Sequence, residues 1–335
     1  MLLKEVRSAG LIVAYVGLFF SFLMLIPWIT SVLTGWDGGK SFLWSGLMAA
    51  IFCILVIIAC FGDQPKITPR FGILVVNMLW FLLPILCAIP LANSSANLSF
   101  VDALFEATSG LTTTGSTIMS EILSFDRPIL LWRALMQWVG GLGILSLGLI
   151  LLPFLRIGGM QLFKMESSDR SDKPLPRLVE ISRSIIIIYV ILSLACVVSY
   201  LIVGLTPFDA LTHGMTTVAT GGFSTHDESL GYFNSAPVLW VAILFMIVGG
   251  LPFSVFVAIF FTRNVPKLDP QVLTFLLIIF FSCALLIFYQ NNGNIKSVYV
   301  NTEYIFNVVS IITTTGYSSG DFMYYGSLGP VMFFF

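Results

Sequence analysis

The stretch FEATSGLTTTGST, residues Phe105–Thr117, places threonine, serine and glycine directly after a short apolar segment. Two later stretches align with it on a single glycine. The aligned segments are DALFEATSGLTTTG (Asp102–Gly115), DALTHGMTTVATGG (Asp209–Gly222) and EYIFNVVSIITTTG (Glu303–Gly316), each with an acid 13 positions before that glycine. They also share a polar position (Glu106, His213, Asn307) and a hydrophobic position (Leu111, Val218, Ile312). A pattern repeated in register predicts one structural unit that is used three times.

The composition around these segments is typical of a membrane protein. Of the 335 residues, 57% are hydrophobic and only 10% are charged, and the mean hydropathy is +0.97. Soluble domains carry about 25% charged residues. So little charge is unsuited to a water-facing surface, and the sequence therefore predicts an all-α polytopic membrane protein.

Apolar runs of about 20 residues predict the helices that cross the bilayer. The predicted spans are Leu11–Leu33, Ser41–Phe61, Phe71–Leu91, Ile129–Leu155, Ser184–Val203, Pro237–Phe261 and Pro270–Phe288. Pro252 is expected to bend the sixth of them. A further run begins near Gly326 and stops at Phe335, which is too short to cross. A cleaved signal peptide is the alternative for the first run, but that run is long and lacks a small-residue cleavage site.

The distribution of positive charge predicts the orientation. Twelve of the 16 Lys and Arg residues lie in the N-terminal segment and in the loops on the same side of the membrane. The other side holds Lys40, Arg127 and Lys296, with Arg133 at the mouth of a span. Because cytoplasmic loops carry the excess of Lys and Arg, we expect a cytoplasmic N-terminus and outward-facing aligned segments.

The residue types needed for catalysis are scarce. All five cysteines lie in predicted spans, where they are interpreted as small buried hydrophobic residues. Only two histidines occur, His213 and His226, without an HExxH or CxxC motif. An intramembrane enzyme would need paired acids or a Ser/Lys or His cluster inside the spans, and these contain almost no ionisable residue. The sequence therefore argues against an enzyme and gives no sign of a bound cofactor.

The aligned segments predict re-entrant loops, each a short helix that enters the membrane and returns as an extended Thr/Gly strand. Such a strand leaves carbonyl groups without backbone partners, which is tolerated at membrane depth only where they line a watery cavity. Glycine permits the backbone twist that turns successive carbonyls toward one axis. Rings of such carbonyls replace the hydration shell of potassium in channel filters. The alternative is a set of ordinary Thr/Gly-rich surface turns, which would not explain three copies in register.

The acids of the repeat are predicted to begin the short helices. Ser99-x-x-Asp102 and Thr206-x-x-Asp209 have the spacing of a capping box, with Pro207 at the first helical position. The third copy keeps its acid, Glu303, but has Val300 where the capping residue should be. We predict that Asp102, Asp209 and Glu303 cap the helices and complement their dipoles.

These motifs resemble the TrkH/KtrB/HKT superfamily of potassium transport proteins. SGLTTTGST, TVATGGFSTHD and ITTTGYSSGD resemble its first three filter segments, and LLWRALMQWVGGLGILSLGLILLP and IVGGLPFSVF resemble the second helices of its first two repeats. The layout is closer to the TrkH branch than to the KtrB branch. The resemblance implies two extra N-terminal spans (1–68), a first pore repeat (69–158), a cytoplasmic loop (159–182), a second repeat (183–264) and a third repeat (265–335).

The resemblance also implies function. Potassium would be the substrate, taken up across a bacterial inner membrane through a channel-like pore, with the lipid bilayer around it and no nucleic-acid partner. The implied partners are a second copy of the chain, forming a homodimer, and a cytoplasmic, nucleotide-binding regulatory subunit of the TrkA type. The implied filter residues are Thr113, Thr114, Gly115, Thr220, Gly221, Gly222, Thr314, Thr315 and Gly316, with a possible shift of one residue in the second segment.

Superfamily members have four repeats, whereas the third is cut here at Phe335 and the fourth is not present. We therefore expect the chain to be a fragment. Two functional alternatives stay open: a sodium- or ammonium-permeable transporter of the same fold, and a membrane scaffold that conducts nothing.

Overall fold

The computed structural model describes residues 2–62, 69–155, 174–257, 259, 270–291 and 297–320. Within those ranges the elements are helices joined by loops, with no β-strand. The helices are α1 (Leu2–Leu23), α2 (Leu25–Thr34), α3 (Gly39–Cys60), α4 (Pro69–Ala92), α5 (Phe100–Leu111), α6 (Arg127–Leu155), α7 (Pro174–Ile202), α8 (Pro207–Val218), α9 (Ala236–Gly250), α10 (Phe253–Val257), α11 (Pro270–Asn291) and α12 (Val298–Ile312). Five helical segments are long and apolar enough to cross a membrane, which confirms the predicted all-α polytopic membrane protein.

These five segments correspond to five of the seven predicted spans. They are Lys4–Thr34, Gly39–Cys60, Arg70–Ala92, Ser182–Ile202 and Pro270–Asn291. The predicted span Ile129–Leu155 lies within α6, whose side chains are described as far as residue 143.

The span predicted at Pro237–Phe261 is not one continuous helix, which corrects the expected bend. Helix α9 ends at Gly250, Leu251 has the extended angles φ −76° and ψ 147°, and α10 begins at Phe253. Pro252 explains the break, because proline lacks an N–H and pushes the preceding residue out of the helical region. The 15-residue α9 is consequently shorter than the other spans.

The chain forms two compact units. The first comprises Met1–Leu111, Ser124–Met136 and Gly143–Glu180. In it, α3 packs on α1 and α2, while α4 packs on α1 and α5. A buried apolar cluster of Ala9, Val13, Phe71, Val75 and Leu79 joins α1 to α4.

The second unit comprises Thr112–Leu123, Gln137–Leu142 and Ile181–Phe335. In it, α12 packs on α9 and α11, and α8 packs on α9. Leu286, Tyr304 and Val308 form a buried cluster between α11 and α12. Large side chains on the outer faces remain open, such as Phe288 at 83% and Ile202 at 79% exposure, as lipid contact requires.

Three loops follow the short helices α5, α8 and α12, and all three belong to the second unit. We call residues 112–121 loop 1, residues 219–228 loop 2 and residues 313–320 loop 3. The apolar run from Gly326 to Phe335 and most of the loop predicted at 159–182 lie outside the described residues. The domain boundaries inferred from the resemblance stay predictions.

Candidate functional site

The helices that precede loops 1 and 2 each begin with a hydroxyl cap at the predicted position. Ser99 accepts a hydrogen bond from the backbone N–H of Asp102, and its hydroxyl donates to the Asp102 carboxylate at 2.7 Å. Thr206 and Asp209 repeat this arrangement at the start of α8, again with 2.7 Å between hydroxyl and carboxylate. Asp102 and Asp209 therefore lie in the first turn, where a negative charge complements the helix dipole.

The third helix begins one turn earlier than predicted, so Glu303 is not its cap. Ser297 caps α12 by accepting a hydrogen bond from the backbone N–H of Val300 at 3.4 Å. Glu303 is consequently in the second turn, beyond the free N–H groups of the helix end. The acid is common to the three sequences, but only the first two acids have the capping position.

The three loops share an unusual backbone conformation. In each, a threonine and the glycine two residues later both have positive φ. The φ values are 55° and 78° for Thr113 and Gly115, 48° and 79° for Thr220 and Gly222, and 57° and 84° for Thr314 and Gly316. Non-glycine residues rarely adopt this region, and such strain clusters at functional sites. The matching φ values align Gly222, rather than Gly221, with Gly115 and Gly316.

The ends of the short helices hold the loops through backbone hydrogen bonds. Gly221 N donates to the Thr216 carbonyl at 2.9 Å, and Thr315 N donates to the Ser310 carbonyl at 2.8 Å. These bonds span five residues and close the helix as in a Schellman motif, with threonine at the left-handed position that glycine usually takes. The bonds thereby pair carbonyl groups at the helix ends with N–H groups of the loops.

The three loops converge at their glycines. A Cβ atom on Gly115 would overlap the carbonyl oxygen of Gly221 and would lie 3.5 Å from that of Thr315. A Cβ on Gly222 would likewise overlap the carbonyl oxygen of Thr315. Loop 2 therefore approaches both loop 1 and loop 3. At Gly316, no atom of the described residues lies within 4 Å of the equivalent point.

The polar position shared by the repeats is buried in each of the three short helices. Glu106, His213 and Asn307 are all 0% exposed. In α12, Asn307 Nδ2 donates to the Ser319 hydroxyl at 2.9 Å, and Ser319 N donates to Asn307 Oδ1 at 3.1 Å. In α5, Glu106 instead forms a 2.7 Å buried ion pair with Arg133 of α6.

His213 connects α8 to loop 2. Its Nδ1 lies 2.9 Å from the Asp209 carbonyl, which can only accept, so Nδ1 carries the proton. Its Nε2 lies 2.9 Å from the Ser224 hydroxyl. Burial lowers the pKa of His213 to about 4, so the ring is neutral and Nε2 accepts from Ser224.

The Asp209 carboxylate continues this network. Thr225 donates to it at 2.7 Å, and the His226 ring lies 3.5 Å away. Burial by itself would raise the pKa of Asp209, but the His226 ring and the Thr206 and Thr225 hydroxyls outweigh it. The pKa consequently lies well below its usual range, and the carboxylate remains charged.

The repeats also brace one another. Tyr317, which follows the third glycine, is fully buried, and its hydroxyl contacts the Thr216 and Thr217 hydroxyls of α8 at 2.5 Å and 3.1 Å. The Asp227 carboxylate of loop 2 accepts from the backbone N–H of Ile122, with 3.0 Å and 2.9 Å to its two oxygens. Helix α8 is thus connected to the third repeat through Tyr317, and loop 2 is connected to the first repeat through Asp227.

Sequence reasoning missed these bracing residues and one more, Gln137. Its side chain reaches from α6 to loop 2, with Nε2 2.6 Å from the Gly221 carbonyl oxygen and Oε1 3.0 Å from Phe223 N. The available signal was an uncharged polar residue inside the predicted span LLWRALMQWVGG.

Comparison with known proteins agrees with this architecture. The TrkH family, described as cation transport protein, matches residues 47–288. The Trk system potassium uptake protein TrkI of Halomonas elongata is 39% identical over 258 residues, or 76% of this chain and 52% of TrkI. The Trk system potassium uptake protein TrkH of Vibrio parahaemolyticus is 33% identical over 98% of this chain and 69% of that protein.

The solved structure of a relative extends the agreement to the backbone. The crystal structure of the potassium transporter TrkH from Vibrio parahaemolyticus superimposes with a TM-score of 0.86 at 29% identity, covering 99% of this chain and 69% of that one. The chain thus spans about half the length of TrkI and about two thirds of the TrkH proteins that it matches. On this evidence the chain belongs to the TrkH family of cation transport proteins.

Proposed function

We propose that the protein carries out potassium uptake across the bacterial inner membrane through a pore lined by loops 1, 2 and 3. The observation that carries the proposal is the convergence of three loops with one backbone conformation, in which the carbonyl oxygens of Gly221 and Thr315 lie next to Gly115. The proposed ion-binding residues are Thr113, Thr114, Gly115, Thr220, Gly221, Gly222, Thr314, Thr315 and Gly316.

The proposed mechanism is dehydration of the cation by backbone oxygens. Each carbonyl has two lone pairs, and a potassium ion that loses its water ligands gains these oxygens in exchange. The C-terminal ends of α5, α8 and α12 lead into the loops, so their dipoles add negative potential near the site. The left-handed glycines keep the path between the loops free of side chains. The chemistry is binding and release, without a covalent step.

The proposed assembly is a homodimer with a pore in each protomer, the N-terminus in the cytoplasm and a nucleotide-binding regulatory subunit on the cytoplasmic face. The excess of Lys and Arg on the N-terminal side supports the orientation. Resemblance to the superfamily supports the two partners. Crosslinking in native membranes, followed by mass determination, tests both contacts.

Ion flux in proteoliposomes tests the function. The purified protein is reconstituted, and the uptake of potassium, sodium and ammonium is measured under equal gradients. Potassium uptake that excess sodium does not inhibit supports the proposal. Equal rates for sodium or ammonium would indicate a less selective transporter of this fold, and an absence of flux would indicate a scaffold.

A further inference from the structure

We infer that Gln137 is a positioning residue for ion selectivity, because its amide replaces in loop 2 a threonine pair that braces loops 1 and 3. This inference rests on the proposed function. It assigns to a side chain of α6, outside the three loops, a share in setting the geometry of the proposed filter.

Loops 1 and 3 carry the same internal hydroxyl contact. Thr112 and Thr114 have their hydroxyl oxygens 2.7 Å apart, and those of Thr313 and Thr315 are 2.8 Å apart. In both loops the pair occupies the third and first positions before the left-handed glycine. The bond links the end of the short helix to the residue next to that glycine.

Loop 2 cannot form this contact. Its residues at the same two positions are Ala219 and Gly221, and neither has a hydroxyl group. The backbone is nevertheless the same, since Thr220 and Gly222 have the left-handed angles of their counterparts. Another interaction must therefore hold loop 2 in this strained conformation.

Gln137 provides that interaction from α6. It is 0% exposed, and its Nε2 donates to the Gly221 carbonyl at 2.6 Å while its Oε1 accepts from Phe223 N at 3.0 Å. The two bonds hold the backbone on both sides of Gly222. The Gly221 oxygen keeps a second lone pair, so the bond does not prevent it from binding a cation.

The glycine at position 221 is explained by the same contact. Gly221 is not among the residues with positive φ, so its backbone does not require glycine. The requirement is space, because a Cβ there would lie 2.5 Å from both Cδ and Oε1 of Gln137. Gly221 and Gln137 therefore together replace the threonine pair that braces loops 1 and 3.

The test is a double-mutant cycle on the reconstituted protein, with the potassium-to-sodium flux ratio as the readout. Gln137→Ala removes both hydrogen bonds, and we expect the ratio to fall about tenfold, the equivalent of one buried hydrogen bond left unmade. Gly221→Thr alone should lower the ratio by steric overlap. Together, Gln137→Ala and Gly221→Thr should give a higher ratio than either single variant, because the new side chain fills the vacated space.

Two further variants keep the test decisive. Gln137→Glu has the same shape but loses the donor to Gly221, so it should lower the ratio even if Gln137→Ala is not recovered folded. Gln271→Ala, an exposed position on α11, is the matched control and should behave as wild type. A wild-type ratio in Gln137→Glu, or purely additive effects in the cycle, would overturn the inference. A wild-type protein without potassium preference would instead overturn the proposed function.

Discussion

Loops 1 and 2 have nearly the same backbone but are supported by different chemistry. Thr113 and Thr220 differ by only a few degrees in φ, as do Gly115 and Gly222. In loop 1 the hydroxyls of Thr112 and Thr114 contact each other, whereas loop 2 is held by the amide of Gln137. The polar position shared by the repeats differs as well, since Glu106 forms an ion pair with Arg133 of α6 and His213 binds the Ser224 hydroxyl. The comparison indicates that the conformation of the loop is the invariant feature and that several kinds of side chain can hold it.

Gly222→Ser should have the largest effect on ion selectivity, because no neighbouring side chain can compensate for the loss of a left-handed glycine. A Cβ at this position would overlap the Thr315 carbonyl oxygen, and φ of 79° is strained for any residue with a side chain. We expect the preference for potassium over sodium to be lost in flux measurements. Gly143→Ser is the control, because among the described residues no atom beyond its own turns of α6 lies within 4 Å of a Cβ there. Unchanged permeability ratios for Gly222→Ser would contradict the proposed lining.

The ion pair between α5 and α6 should give the next largest effect. Arg133→Ala leaves the Glu106 carboxylate buried and without its 2.7 Å partner, at a cost of about 3–5 kcal/mol in folding free energy. Thermal unfolding of the purified protein in detergent measures the loss. The double variant Glu106→Gln with Arg133→Gln removes both charges and should unfold at a higher temperature than Arg133→Ala. If the double variant instead unfolds at the lower temperature, the ion pair stabilises the protein by more than the mutual neutralisation of its two charges.

The histidine behind loop 2 should matter less. His213→Ala leaves the Ser224 hydroxyl and the Asp209 carbonyl without the ring that joins them, at a cost of about 1–3 kcal/mol. His213→Asn introduces the residue type found at this position in the third repeat, where Asn307 binds Ser319. We therefore expect Asn to retain more thermal stability and ion selectivity than Ala. Equal losses in the two variants would mean that the supports are not interchangeable between repeats.

The sequence was sufficient for the features that depend on local pattern. Apolar runs of span length predicted the long helices, because lipid requires that every backbone group be paired within the helix. The spacing of Ser99 and Asp102, repeated in Thr206 and Asp209, predicted where two of the short helices begin. The three aligned glycines predicted three positions of one conformation, and each of them has positive φ.

The sequence was insufficient where the structure depends on more than the local pattern. Glu303 was expected to cap α12, but the helix begins about one turn earlier than predicted, where the Ser297 hydroxyl caps it. Gln137 stands out in the sequence only as an uncharged polar residue inside a predicted span, and its partners could not be predicted because they are 84 and 86 residues away in the chain. The break after Gly250 was expected only as a bend, since proline signals a disruption but not its size.

The smallest predicted effect is a difference in stability loss between variants of loops 1 and 3, which share the threonine pair but differ in burial. Thr313 and Thr315 are buried, whereas Thr114 is exposed and Thr112 is partly exposed. Thr313→Val and Thr112→Val each remove one hydroxyl without changing the shape of the side chain. Because the buried partner finds no replacement in water, Thr313→Val should cost about 1 kcal/mol and Thr112→Val less, as measured by thermal unfolding at saturating potassium. The Thr313 hydroxyl also donates to the Val309 carbonyl at 2.8 Å, which adds to the difference. A larger loss from Thr112→Val would imply that loop 1 depends on its hydroxyl pair more than its exposure suggests, and that burial is not what sets the strength of this brace.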